Sequence, residues 1–222
     1  MNFMGLLKSL DEFLYEVVSW LVFYPMTLWR VLRRPLRMMD YSDRELRQAD
    51  VEQYTDTLRP PLFLLVSLLL SHALELAVVG SSAIVESKRG LAALVNDDTS
   101  LVLLRLVIFS VPPLIFAARL TRLQGQGITR KSLKQPFYAQ CYASAPFALG
   151  LGIGGMLTHT HWSWGVPVGL GVMLLTLFGY WIVQARWFAQ HLRRPLLAGL
   201  GHAAVGLIET FIVILLVAPL FA

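Results

Sequence analysis

His72 and Glu75 stand three residues apart in a run of leucines, alanines and valines, a spacing that puts both on one helical face. Arg105 lies in a second apolar run. His202 and Glu209, seven residues apart, share roughly one face of another. Ionisable groups in apolar surroundings are costly and are kept mainly where they pair or work. Imidazole and carboxyl groups in such places can relay a proton or hold a cation. Burial favours the neutral, hydrogen-bonding form of a glutamic acid. Two readings follow. In the first, Glu75 or Glu209 pairs with Arg105 as a polar clamp between helices, or a carboxyl stays protonated there. In the second, His72, Glu75, Arg105, His202 and Glu209 line a proton- or cation-coupled pathway. The clamp is the preferred reading. Arg105 is also near enough to one end of its helix to extend its guanidinium toward water.

Other catalytic patterns are missing. His159 and His161 are two apart in a turn, with no H-E-x-x-H partner. The chain has no G-x-S-x-G, no P-loop and no G-x-G-x-x-G opening a helix after a strand. Gly125-Gln126-Gly127 reads as a flexible turn in a basic loop. The single cysteine, Cys141, has no partner and reads as a small packing residue. The expectation is a protein that is not an enzyme, with no metal, no cofactor and no nucleic-acid partner.

The elements that must carry these residues follow from composition. Of 222 residues, 56% are hydrophobic and 15% charged, and mean hydropathy is +0.60. Soluble domains carry about 25% charged residues. The balance excludes a soluble enzyme, a disordered tail and a disulfide scaffold. Five segments reach the ~20 apolar residues that a membrane helix needs, at about 61–81, 101–120, 138–157, 164–184 and 196–220. Backbone groups in hydrocarbon must pair internally, so each is predicted helical. The fold class is all-α, a polytopic transmembrane helical bundle of five spans. Residues 60–222 form the membrane domain, and residues 1–59 a cytoplasmic or interfacial N-terminal region.

Basic residues set the orientation. Arginines from Arg30 to Arg59 precede the first span. Arg119, Arg122, Arg130, Lys131 and Lys134 follow the second, and Arg186, Arg193 and Arg194 follow the fourth. The alternate loops hold only Lys88 and Arg89. By the positive-inside rule the N-terminus is cytoplasmic and the C-terminus outside. The membrane is then the bacterial cytoplasmic membrane. The beginning of the chain lacks the pattern of a cleaved signal. Residues 82–100 are expected to form a small outward loop with a short helix near 84–95, ended by Asn96-Asp97-Asp98.

The first 30 residues have helical periodicity. Phe3, Leu6, Leu7, Leu10, Phe13, Leu14, Val17, Val18 and Leu21 share one face, opposite Lys8, Asp11, Glu12 and Glu16. This predicts an amphipathic helix over about 3–30, lying in the membrane interface. Glu16, Pro25 and the polar face argue against a sixth span at 13–29. Arg30, Arg33, Arg34 and Arg37 then meet lipid headgroups, chiefly as anchors. Ser42-Asp43-Arg44-Glu45 reads as a capping box and predicts a short cytoplasmic helix over about 43–58, stopped by Pro60-Pro61.

Gly150 and Gly154 in the third span, and Gly165 and Gly169 in the fourth, have the four-residue spacing of close helix packing. The third span also carries Gln140-Cys141-Tyr142-Ala143-Ser144-Ala145-Pro146-Phe147. This segment resembles the Tyr-small-small-x-Pro-Phe segment of the YIP (Ypt-interacting protein) family. The layout over about residues 20–220 is similar too, and Trp29 to Pro35 resembles a Trp/Leu-rich segment ending in Arg-Pro in bacterial members. The resemblance implies membrane-shaping or trafficking roles, or the permease label given to bacterial relatives. The resulting expectation is a non-enzymatic scaffold or assembly subunit of a membrane or envelope process. Its partners would be membrane lipids and a protein or second copy. The alternative is a small-solute or lipid permease using the buried His/Glu/Arg set.

Overall fold

A computed structural model of the chain describes residues 3–49, 52–80 and 98–217. These fold into seven helices with no strand, so the protein is all-α. The expected loop helix near 84–95 and the end of the last span at 218–220 lie outside the described residues. So do the side chains that define the apolar face at 3–13.

α1 runs from Phe3 to Arg33 and continues through Pro25. It ends because Pro35 disfavours helical backbone at Arg34, whose φ and ψ are −143° and 63°. Pro35 then opens α2, Pro35–Glu45, at the helix start where a missing N–H costs nothing. The short helix therefore lies earlier than the predicted 43–58. Ser42 caps nothing. It is buried in the last turn of α2, with its hydroxyl 3.1 Å from the Tyr54 hydroxyl. Glu45 does not reach back to residue 42. Its carboxylate accepts the backbone N–H of Tyr54 at 2.6 Å, holding Tyr54 at a left-handed φ of 56°. That conformation interrupts any helix, and the described residues 46–49 and 52–59 form turns and irregular backbone instead.

Five helices are long and apolar enough to cross a membrane, and the chain is an integral membrane protein. α3 is Pro60–Val79, opened by the paired prolines and closed by Gly80 at a φ of 84°. α4 is Asp98–Leu123, α5 is Arg130–Thr158, α6 is Gly165–His191 and α7 is Leu196–Val217. α1 is not among the five. α4, α5 and α6 each run several residues past the predicted bounds. α5 starts early because Thr129 and Ser132 form a capping box, each hydroxyl accepting the other's backbone N–H.

α5 is the central helix, in contact with α1, α2, α3, α4 and α6, while α7 lies against α4 and α6. Its small residues feed two cores. Cys141, Tyr142, Ala145 and Ala148 pack with Phe63, Leu64 and Leu68 of α3 and with Tyr24 and Val31 of α1. Ala139 and Ala143 pack with Phe116 of α4, Tyr180 and Phe188 of α6, and Ala203 of α7. Gly154 and Gly169 meet backbone to backbone across α5 and α6, and a Cβ on Gly150 would strike Thr176. Gly165 closes on Leu157 and Thr160 in the turn between the same helices. These four glycines therefore serve packing within the chain. Trp162 and Trp164 stand exposed in that turn.

We call the end that carries α2 and the loops at 124–129 and 192–195 the basic end. There the turns at 52–59 are tied down by hydroxyls. Tyr41 donates to Asp56 at 2.9 Å, Arg30 donates to Asp56 at 2.8 Å, and Tyr142 donates to the Leu58 carbonyl at 2.8 Å. Burial pushes the Tyr54 hydroxyl up to about 12, outweighing its bond to Ser42, and burial raises Tyr41 likewise. A phenol raised above its ordinary value adds stability below pH ~10 that is lost as pH rises through the folded value. Thermal unfolding in detergent should therefore be flat from neutral pH to about 10 and then decline toward 12. The Tyr41→Phe/Tyr54→Phe variant should show a shallower alkaline decline than the wild type. Equal slopes would disprove the assignment.

Candidate functional site

The ionisable residues of the spans do not converge. They form two separate pairs, one between α3 and α4 and one between α4 and α7. Arg105 of α4 donates to the Glu75 carboxylate of α3, and both side chains are mostly buried, at 15% and 18% exposure. The pair lies toward the end of the bundle opposite the basic one. It borders a groove of about 310 Å³ between α3, α4 and α5, whose walls include Leu68, Ser71, Phe109, Gly152 and His159. Leu68, Ser71 and Glu75 recur at helical spacing and make the α3 wall. His72 is buried but does not line this groove, although the sequence spacing placed it on the face of Glu75. A Cβ at Gly152 would overlap the Ser71 hydroxyl, so only glycine allows α3 this close to α5.

Glu209 does not pair with Arg105. It accepts from Arg119 of α4 at 2.7 Å. Arg119 stood at the predicted end of its span and counted there as a loop base. α4 continues to Leu123, which carries Arg119 onto the apolar part of the helix beside α7. His202, predicted beside Glu209, lies instead against the Phe188 ring, with centroids 6.0 Å apart. The candidates thus divide into Glu75 with Arg105 and Glu209 with Arg119; His202 lies close enough to Arg119 to feel its charge, and His72 is buried on α3 outside the groove.

The seam between α5 and α6 is closed by neutral polar contacts. Gln140 and Gln184 exchange amide hydrogen bonds, the first at 2.9 Å. Ser144 meets the Tyr180 hydroxyl at 3.1 Å, and the Phe147 and Tyr180 rings stack at 4.3 Å. The segment from Gln140 to Ala145 is buried throughout. The residues that carry the family resemblance are therefore the packing centre of the bundle. Cys141 sits among them, buried and free.

A third arrangement, at the basic end, had no sequence cue beyond its residue types. A cavity of about 250 Å³ is lined in part by Asp43, Arg47, Thr121, Trp187 and His191. His191 Nδ1 is 3.1 Å from the Trp187 carbonyl, and its Nε2 is 3.8 Å from Asp43. Trp187 Nε1 and Asp43 Oδ1 are buried without a protein partner. One donor and one acceptor beside a polar cavity is what ordered water needs. Among the described residues, no three His, Cys, Asp or Glu side chains gather as metal ligands would.

Of the four arginines expected to meet headgroups, Arg30 in the last turn of α1 is held by Asp56, and Arg33 at its end lies over the Trp29 ring at 4.0 Å. Arg34 and Arg37 are exposed. No family model matches the chain, and searches of curated proteins and of solved structures return no significant relative.

Proposed function

We propose that this protein is a non-enzymatic membrane scaffold, an assembly subunit of an envelope process, with a layout resembling the YIP family. One observation carries the reading. Four charged groups of the spans, Glu75, Arg105, Arg119 and Glu209, neutralise one another in two separate pairs, and α5 is packed shut from Gln140 to Ala145. A conduction path needs polar groups that follow one another across the bilayer. Such a path is not what these pairs offer; holding helices in register is. A face for a partner exists on α1. Leu14, Val18, Leu21, Val22, Met26, Trp29 and Leu32 are exposed along one side at helical spacing.

The proposed orientation places the basic end in the cytoplasm of a bacterial cell, by the positive-inside bias. Exposed Arg33, Arg34 and Arg37 then meet anionic headgroups at the end of α1. The test is photo-crosslinking in cells from Val18, Val22 and Met26, with Leu174 and Leu175 on the exposed side of α6 as controls. One discrete adduct from the α1 positions alone, with the same partner in a stoichiometric complex after gentle extraction, is expected. A partner-free species whose deletion phenotype tracks solute flux would sink the scaffold reading.

The groove at Glu75 and Arg105 supports a second reading, a small-solute or lipid permease. Ser71 and His159 give it polar wall atoms beside the ion pair. That reading expects Glu75→Gln to abolish solute flux while the folded protein persists in the membrane.

A further inference from the structure

The side of the bundle formed by α4 and α7 carries a groove of about 410 Å³, walled by Ile115, Ile212 and Val213. Arg119, Arg122 and Glu209 are its charged groups. Two guanidiniums against one carboxylate leave one positive charge in excess. The Arg119–Glu209 bond employs Nη1 alone. Arg119 Nε is buried with no acceptor among the described residues. Arg122 follows three residues later on the same helical face, is exposed, and makes no ion pair among the described residues.

An uncompensated guanidinium beside apolar walls at a membrane boundary draws an anion. Arginine donors match phosphate oxygens, which can accept two parallel N–H bonds from one guanidinium. The apolar walls require the rest of the guest to be hydrocarbon. We propose that this groove binds one anionic phospholipid, its phosphate between Arg122 and Arg119 and an acyl chain along Ile115, Ile212 and Val213. A lipid of net charge −1 cancels the excess, whereas a zwitterionic lipid leaves it in place. Glu209 does not oppose this binding as a free carboxylate would, because Arg119 already neutralises it. The site is distinct from the arginines that follow α1, and it stands for a scaffold and a permease alike.

The test is native mass spectrometry of the full chain in detergent, with phosphatidylglycerol and phosphatidylethanolamine of matched chains at equal concentration. One retained phosphatidylglycerol per chain is expected, in preference to phosphatidylethanolamine. Arg122→Gln should lower that preference about fivefold, the worth of one basic residue near anionic lipid. Arg122 has no partner among the described residues, so the variant should keep the elution profile and melting temperature of the wild type. Arg186→Gln, at an exposed position of α6 that does not line this groove, should keep the lipid preference. Glu209→Gln, which removes the opposing carboxylate, should hold or raise it. Equal retention of the two lipids, or an unchanged preference in Arg122→Gln, would overturn the proposal. Displacement of phosphatidylglycerol by millimolar inorganic phosphate would assign the site to free phosphate and overturn it as well.

Discussion

Arg105→Ala is expected to cost the detergent-solubilised bundle about 3 kcal/mol, the lower end of the range for removing one partner of a buried ion pair. The lower end applies because both side chains keep a little solvent contact, which weakens the interaction. The loss comes from Glu75, left charged or forced to take up a proton between α3 and α4. Glu75→Ala should behave alike, with the guanidinium as the orphan. The paired change Glu75→Gln/Arg105→Gln should recover much of the loss, since two neutral amides can bond each other without a desolvated charge. Chemical unfolding of the two single variants and the double gives the coupling directly. Additive losses would mean that the two residues do not act as a clamp. A double variant that folds but no longer supports transport would instead favour the permease.

Gly169→Ala should destabilise by about 1–3 kcal/mol, the range for overpacking. The added Cβ would lie 2.5 Å from the Gly154 carbonyl oxygen and 2.9 Å from the Thr158 backbone nitrogen. These are backbone atoms and cannot swing aside as a side chain could. Relief requires α5 and α6 to separate, which loosens the Gln140–Gln184 and Ser144–Tyr180 contacts along the same seam. Gly171→Ala, two residues on, meets nothing within 4 Å. It should be neutral or slightly stabilising, because alanine is the better helix former. The comparison needs only two melting curves. Equal melting temperatures for the two variants would refute the close approach.

The five membrane helices were legible because a long apolar run is a strong, local signal. Their ends were less so. Arg130 and Lys131 belong to α5 through a Thr129–Ser132 capping box that lies outside the apolar run. Ser42 and Glu45 had the spacing of a helix start, but spacing cannot say which of two nearby starts wins. Pro35 opened the helix eight residues earlier, and Glu45 was left free to hold Tyr54. Glu75 and Arg105 were visible as costly charges on adjoining helices, so their pairing could be weighed in advance. Arg119 with Glu209 could not, because their partnership crosses 90 positions and depends on how far α4 runs. The exchange between Gln140 and Gln184 was open to the same reasoning as the charges. Each is an amide in an apolar helix, and a neutral amide costs less to bury than a charge, so its signal in a sequence is weaker.

The position of α5 has a consequence for biogenesis. α3 and α4 leave the ribosome before it, yet they touch each other little and pack mainly on α5. During synthesis they enter the bilayer as two helices with almost no joint surface, tied chiefly by Arg105 and Glu75. Their common wall arrives only when the segment from Gln140 to Ala148 is inserted. Until then the Ser71 hydroxyl lacks the close cover that Gly152 later gives it. The insertion machinery must therefore shelter two half-finished spans, and the third completes them.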